Sequence, residues 1–221
     1  MSRNYKWGVD TQDDKPIRVC LFVSRNKDNK DVEGFVERRK AFITTKTKEE
    51  LSSEFSAFVG DGKHGEICRM YLSVNARDGE KIYKELLHFL IDNPDFNLAH
   101  IQSKLASISA KKECALEKKW MFDFDCEDSN KLDEFIKDII NMSKPLQREI
   151  TTYRTPNGYA VVVGSGFDTR ELFEKWNDRD IVTLKRDDLL CVSWDYKLEP
   201  LEPKVAVEED VDVFKVETTL L

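Results

Sequence analysis

Residues 120–125 read Trp-Met-Phe-Asp-Phe-Asp, and from Phe122 onward this stretch alternates between aromatic and acidic side chains. Successive side chains of a β-strand point to opposite faces, so the two phenylalanines lie on one face, and Asp123 and Asp125 lie on the other. The aromatic face needs an apolar core, whereas the acidic face needs water or a cation. The stretch therefore predicts a strand at the edge of a core, with two neighbouring carboxylates on its open side.

Downstream of this strand the sequence predicts a helix and then a β-hairpin. Asp128 or Ser129 can cap the helix, whose apolar residues recur at helical spacing. Glu149–Thr155 and Tyr159–Val163 then flank Asn157-Gly158, a dipeptide that favours the tight turn of a two-stranded hairpin. The apolar positions of the helix are Leu132, Phe135, Ile136, Ile139 and Ile140.

The other segments continue the alternation of strands and helices. The predicted order is ββαβααβαββαββ, which favours an α+β fold: a mixed, mainly antiparallel sheet, covered by helices on one face and open on the other. The remaining predicted strands are Ile17–Val23, Ala41–Thr45, Cys68–Asn75, Ile181–Lys185 and Leu189–Trp194, and the remaining helices lie at 51–58 after the capping pair Thr47 and Glu50, and at 80–91, 98–109 and 168–176.

The composition describes one folded unit followed by an acidic tail. The 221 residues are 40% hydrophobic and 35% charged, which is typical of a globular chain with one sizeable core. We predict a single domain over residues 1–200 and a flexible tail over residues 201–221. Residues 205–221 contain five acidic residues and one lysine, so they contribute −4 to the net charge of −7. A local basic groove in the body of the protein is compatible with that distribution.

The sequence contains no recognisable membrane or export segment. It has no run of about 18 apolar residues, and its N-terminus lacks the apolar stretch of a secretory signal. The five cysteines are scattered, and they form neither a C-x-x-C motif nor a Cys/His cluster, which predicts buried free thiols. We therefore expect a cytoplasmic protein that does not bind membranes.

Asp123 and Asp125 form the first candidate site. Carboxylates about 6–7 Å apart on one strand face repel each other unless a cation lies between them. Mg²⁺ and Mn²⁺ prefer such oxygen ligands, and sites of this kind catalyse phosphoryl transfer. The alternative is a solvated strand end that precedes an acidic loop. A D-x-D pair also occurs in glycosyltransferases and in haloacid-dehalogenase-like phosphatases.

The order of three motifs resembles that of archaeo-eukaryotic primases and primase-polymerases. That family has a D-x-D strand, then a Ser/Thr-x-x-Gly-x-His hairpin, then an acidic residue on a later strand. The corresponding residues here are Asp123-x-Asp125, Thr155-x-x-Gly158 and Asp187 or Asp188. The similarity extends over about residues 69–195, and it implies a primase-like fold with an RRM-like catalytic core.

Ala160 departs from the pattern of that family. The family has a histidine here, which contacts the triphosphate of the incoming nucleotide. If the hairpin turns at Asn157-Gly158, Ala160 lies opposite Thr155 on the same face, so a nucleotide-binding side chain is missing. The carboxylates remain, but one phosphate contact is lost. The sequence is therefore compatible both with an active enzyme and with an inactive relative of the family.

Further site residues come from the resemblance together with the strand patterns. Asp187 shares its strand parity with Lys185, which favours it over Asp188 as the third acid, although both aspartates also fit a polar turn. The polar face of the strand at 68–75 is either a nucleotide surface, because arginine matches phosphate oxygens, or a solvated face. The predicted nucleotide- or phosphate-binding residues are Arg69, Tyr71, Asn75, Arg77, Arg154, Thr155, Asn157 and Gly158.

The resemblance implies a metal-dependent nucleotidyltransferase of the primase-polymerase type, in which Asp123, Asp125 and Asp187 hold Mg²⁺ or Mn²⁺. Its implied partners are nucleoside triphosphates and a DNA or RNA template, in the replication or repair of phage or mobile-element DNA. The acidic tail is a candidate for binding a replication protein. Two alternatives stay open: a catalytically inactive primase-like module that binds nucleic acid or protein, and a metal-dependent phosphohydrolase or nuclease.

Overall fold

The computed structural model describes residues 15–143, 149–176 and 181–196. Within them, eight strands and five α-helices follow the predicted order ββαβααβαββαββ, and the α+β class is confirmed. The strands are β1 (Arg18–Ser24), β2 (Arg38–Thr44), β3 (Ile67–Ser73), β4 (Trp120–Phe124), β5 (Ile150–Thr155), β6 (Gly158–Val163), β7 (Val182–Lys185) and β8 (Leu189–Tyr196). The helices are α1 (Ser52–Gly60), α2 (Gly79–Asp92), α3 (Ile101–Ser109), α4 (Ser129–Met142) and α5 (Arg170–Trp176).

The described strands form two antiparallel sheets, where the sequence predicted one mixed sheet. The first sheet has the order β2-β1-β3-β8, and the second has the order β5-β6-β4-β7. The last strand, β8, pairs with β3 and not with the preceding strand β7. Hydrophobic periodicity gives the face of each strand but not its partner, so the division into two sheets was not predictable from it.

Each sheet buries one face against helices. In the first sheet Phe22 packs against Phe55 of α1, with ring centroids 5.4 Å apart. In the second sheet Phe124 packs against Phe135 of α4 at 5.2 Å and against Trp176 of α5 at 5.9 Å. Full burial of such a ring stabilises the fold by about 1.5–3 kcal/mol. These contacts orient β4, and hence the acidic face that it presents away from the helices.

The other faces of the two sheets meet in a small apolar cluster. Val74, which follows β3, and Leu190 of β8 pack with Met121, Ala160 and Val162 of the second sheet. Next to this cluster a cleft remains between the sheets. The face that was predicted to be open is thus partly closed by the opposite sheet.

The two capping patterns in the sequence both form hydrogen bonds, but only the one at α4 lies at the start of a helix, because Thr47 and Glu50 lie in the turn before α1, which begins at Ser52 without a side-chain cap. The backbone N–H of Thr47 donates to Glu50 at 2.7 Å, and the N–H of Glu50 donates to the Thr47 hydroxyl at 3.3 Å. At α4 the cap is Asp128, whose carboxylate accepts a hydrogen bond from the N–H of Asn130 at 2.9 Å. Short local motifs of this kind depend on neighbours in sequence, and they are therefore predictable.

Other expectations concern the thiols, the membrane and the tail. All five cysteines are free, as predicted, and four of them are buried, whereas Cys126 is partly exposed. In the described part of the chain no helix combines the length and the apolar character that crossing a membrane requires. The predicted tail at 201–221 lies outside the described residues.

Candidate functional site

A cleft of about 690 Å³ lies between the two sheets. One wall comes from the first sheet and the loop after β1, and the other comes from the second sheet and the β5–β6 turn. The walls bring positive side chains and carboxylates into one space, as a site for a metal and a phosphate requires. The polar lining consists of Arg25, Asn26, Lys27, Glu37, Arg39, Arg69, Tyr71, Asp123, Asp125, Thr155, Asn157, Lys185 and Asp188.

Asp123 and Asp125 both line this cleft, on the side of β4 that the strand period predicts. Phe122 and Phe124 on the opposite side are fully buried. The pKa of the Asp125 carboxyl is raised, first by burial and then by the negative charge of Asp123. The two carboxylates therefore repel each other, and a cation bound between them would stabilise both.

Lys185 of β7 already places a positive charge at one of these carboxylates. Its ammonium lies 3.0 Å from Oδ2 of Asp123 and 3.7 Å from Oδ2 of Asp188. Burial by itself lowers the pKa of Lys185, but the hydrogen bond and charge of Asp123 outweigh it and raise the pKa. The lysine is therefore cationic at neutral pH and forms part of the electrostatics of the site.

Asp187 does not lie in the cleft, and Asp188 does. The Asp187 carboxylate accepts two hydrogen bonds from the guanidinium of Arg77, at 2.8 and 3.0 Å, and a third from the Asn75 amide at 3.0 Å. The preference for Asp187 as the third acid is thus corrected. The cause is that residues 186–187 form a bend after β7, where strand parity no longer holds.

Asn75 and Arg77 are also placed differently from the prediction. Both lie beyond the end of β3, and their side chains are buried, with relative exposures of 1% and 2%. The Asn75 amide is hydrogen-bonded to the backbone of Lys119 on both sides, at 2.9 and 3.1 Å. These two residues hold the structure beside the cleft together, and they are not exposed to a nucleotide.

Arg69 and Tyr71 of β3 do line the cleft, and Arg69 belongs to a compact basic group. The Asp28 carboxylate lies 2.7 Å from Arg69 and 2.7 Å from Arg25, so one acid holds two guanidiniums on the first wall. Burial raises the pKa of the Tyr71 phenol, which therefore stays protonated and able to donate a hydrogen bond. Two fixed guanidiniums with a single carboxylate leave net positive charge for an anion.

The β5–β6 hairpin turns one residue earlier than predicted. Thr155 pairs with Gly158, so the two turn residues are Pro156 and Asn157, and Thr155 and Asn157 both line the cleft. A Cβ on Gly158 would lie 2.7 Å from the backbone nitrogen of Cys126. Glycine is therefore required for the close approach of the hairpin to the end of β4, and it has no side chain to offer a ligand.

Of the two remaining hairpin residues discussed in the sequence, Ala160 lines the cleft and Arg154 does not. Ala160 pairs with Asp123 across the β4–β6 ladder and lines the cleft, so its methyl group stands beside the carboxylate. Within the hairpin its partner is Tyr153, not Thr155 as predicted. Arg154 does not line the cleft: it pairs with Glu127 at 2.9 Å and stacks over a tyrosine ring.

The donor set is compatible with a divalent cation that shares its coordination with a ligand. Among the described residues no three His, Cys, Asp or Glu side chains converge as a complete protein-made metal site. Mg²⁺ commonly takes only one or two carboxylates and fills its remaining positions with substrate phosphates and water. Asp123 and Asp125 fit that role, because they are mutually repelling carboxylates beside a basic wall.

Residues of the loop after β1 were missed as site residues by the sequence analysis. Arg25 and Lys27 lie in a charged loop whose position relative to β4 depends on the packing of two sheets. Arg39 of β2 also lines the cleft, and the only sign of this in the sequence was its place in a run of three basic residues.

No protein-family model matches the chain, and no curated protein matches it.

Proposed function

We propose that the cleft binds a nucleoside triphosphate together with Mg²⁺ or Mn²⁺, and that the protein is a primase-like nucleotidyltransferase. The main support is the juxtaposition of Asp123 and Asp125 with the guanidiniums of Arg25 and Arg69 across one cleft. Such a cleft matches the two parts of a metal-bound triphosphate, because carboxylates hold the cation and guanidiniums hold phosphate oxygens.

In this proposal the residues have separate tasks. Asp123 and Asp125 hold the cation, with Asp188 replacing Asp187 as the third acid near it. When bound, the cation neutralises phosphate charge and activates the attacking hydroxyl. The guanidiniums of Arg25 and Arg69 orient the phosphates, while the Thr155 hydroxyl and the Asn157 amide offer hydrogen bonds at the opposite wall.

The biological setting follows from the same proposal. A template-directed nucleotidyltransferase needs a DNA or RNA strand, and the replication or repair of phage or mobile-element DNA is the setting that the motif order suggests. Tyr71 on the cleft wall is a candidate for stacking on a base or sugar. The acidic tail at 201–221 is proposed as the contact for a replication protein, because its charge is unsuited to nucleic acid.

Incorporation of labelled nucleotide on primed and unprimed templates, with Mn²⁺ present, tests the proposal directly. We expect activity for the unchanged chain and its loss in Asp123→Asn, a nearly isosteric change that removes one metal-binding charge. Asp133→Asn on the exposed side of α4 is the matched control, because the same chemical change is made away from the cleft. Equal activity of the two variants would contradict the proposal.

A second candidate is an inactive primase-like module that binds nucleic acid or nucleotides. The methyl group of Ala160 beside Asp123 favours it, because the family resemblance expects an imidazole there. Ala160→His distinguishes the candidates: an enzyme lacking one phosphate contact gains incorporation activity. A binding module stays inactive in both forms while it retains template binding. Strand cleavage or phosphate release without a template would instead indicate a nuclease or phosphohydrolase.

A further inference from the structure

Lys185 lies where its ammonium and a metal ion would compete for the same oxygen. It is adjacent to Asp123 because β7 pairs with β4 in a register that sets Lys185 opposite Met121, two positions along from the Thr183–Asp123 pair and on the same face of the sheet. The contact is to Oδ2 of Asp123, at 3.0 Å. The side chains of Lys185 and Asp123 are 34% and 28% exposed, so solvent screens the contact only in part.

The same lysine can leave this position without a change of backbone. Its ammonium ends a flexible four-carbon chain with three rotatable donors. A triphosphate in the cleft would offer it oxygens of higher negative charge than a single carboxylate. Removal of the ammonium from Asp123 would then expose that carboxylate to a second cation.

We propose that Lys185 is a tethered cation that pairs with Asp123 before a ligand enters the cleft and then moves to the phosphates of the ligand, so that phosphate and metal binding are positively coupled. This inference rests on the proposed function, because it assumes that Asp123 is a metal ligand. The order of binding follows from the proposal: the metal alone binds weakly, and the metal site becomes fully available once the triphosphate is present.

Direct binding of Mn²⁺ to the full chain, followed by the electron paramagnetic resonance signal of the free ion, tests whether Lys185 competes with the metal for Asp123. We expect Lys185→Met to bind Mn²⁺ about tenfold more tightly than the unchanged chain, which lies in the usual range of coupling between two ligands. Lys185→Arg keeps the positive charge and should stay close to the unchanged chain. A thermal unfolding curve for each variant verifies that it is folded.

Lys27→Met is the matched control for the general electric field of the cleft. Lys27 also lines the cleft and lies on the opposite wall, so the same charge is removed without the contact to Asp123. We expect a smaller gain in Mn²⁺ affinity than for Lys185→Met. Equal gains for the two variants would overturn the proposal, since charge alone would then explain the effect.

Binding of a fluorescent nucleoside triphosphate analogue in the presence of a chelator tests whether Lys185 moves to the phosphates. Lys185→Met should weaken this metal-free binding, because the phosphates lose their lysine, and it should do so by more than Lys27→Met. Unchanged analogue affinity would show that the ammonium does not move to the phosphates, and this too would overturn the proposal.

The failure of this proposal is distinguishable from failure of the proposed function. If the unchanged chain and Lys185→Met bind Mn²⁺ equally well, and Asp123→Asn abolishes that binding, the metal site exists and only the role of Lys185 is wrong. If none of the variants binds Mn²⁺ with or without the analogue, the metal site is absent and both proposals fall.

Discussion

Asp187→Ala should destabilise the protein strongly, although Asp187 was expected from the sequence to be a metal ligand. Its carboxylate is 10% exposed and faces an Arg77 side chain that is 2% exposed. The substitution removes two hydrogen bonds from the guanidinium and one from the Asn75 amide. The guanidinium is then left buried without a counter-charge, and its Nε already has no hydrogen-bond partner among the described residues.

The expected loss in the free energy of unfolding follows from the burial of Arg77. Removing one partner of a buried, hydrogen-bonded ion pair typically costs about 3–5 kcal/mol, mostly because the remaining charge is stranded. For a chain of this length each kcal/mol shifts Tm by about 2–4 °C, so the melting temperature should fall by roughly 6–20 °C. Asp188→Ala, one residue away and 47% exposed, should change the free energy of unfolding by less than about 1 kcal/mol.

Urea denaturation of the two variants, followed by tryptophan fluorescence, measures both changes in free energy. The same preparations should show the opposite ranking in Mn²⁺ binding, because only Asp188 lines the cleft. If Asp187→Ala lowers the free energy of unfolding by less than about 1 kcal/mol, the unpaired Arg77 charge does not destabilise the fold as argued, and the reasoning is refuted. The double variant Asp187→Leu with Arg77→Met should recover part of the lost stability, since no buried charge then remains unpaired.

Three further outcomes are expected. Gly158→Ala should cost about 1–3 kcal/mol in urea denaturation, because the new Cβ collides with the backbone at the end of β4. Burial alone would raise the pKa of Glu66, but hydrogen bonds from a backbone N–H and Arg38 lower it. Its stabilising contribution should therefore be complete above the ordinary glutamate pKa and lost as pH falls through the lower folded value, and Glu66→Gln should flatten this acid limb of the pH–stability curve. At neutral pH an alkylating reagent should label Cys126 first, as read by mass spectrometry, because the other four cysteines are buried; earlier labelling of a buried thiol would contradict the packing.

The acidic face of β4 shows how far local periodicity reaches. Alternation over six residues placed Asp123 and Asp125 on one side and two phenylalanines on the other, and the structure has this arrangement. The same principle identified the polar face of β3, including Arg69 and Tyr71. It worked because the direction of a side chain in a strand depends only on the strand itself.

The errors occur where strands end. Arg77 and Asp187 were assigned to a site by extending strand parity past the last hydrogen-bonded residue of β3 and β7. The turn of the hairpin was also misplaced, by one residue, because Asn157-Gly158 is the strongest turn dipeptide while the structure turns at Pro156-Asn157. The position of Gly158 is determined instead by the nearby backbone of Cys126, which is a tertiary contact.

The sequence by itself determined the order of the elements, the buried faces of β3 and β4 and the presence of two carboxylates on one side of β4. These properties depend on side chains a few residues apart, so they can be recognised in the linear pattern. Only the tertiary structure decided that β8 joins β3, that the carboxylates face Arg25 and Arg69, and that Asp187 belongs to Arg77. The physical reason is that each of these depends on contacts between segments far apart in the chain, which leave no period in the sequence.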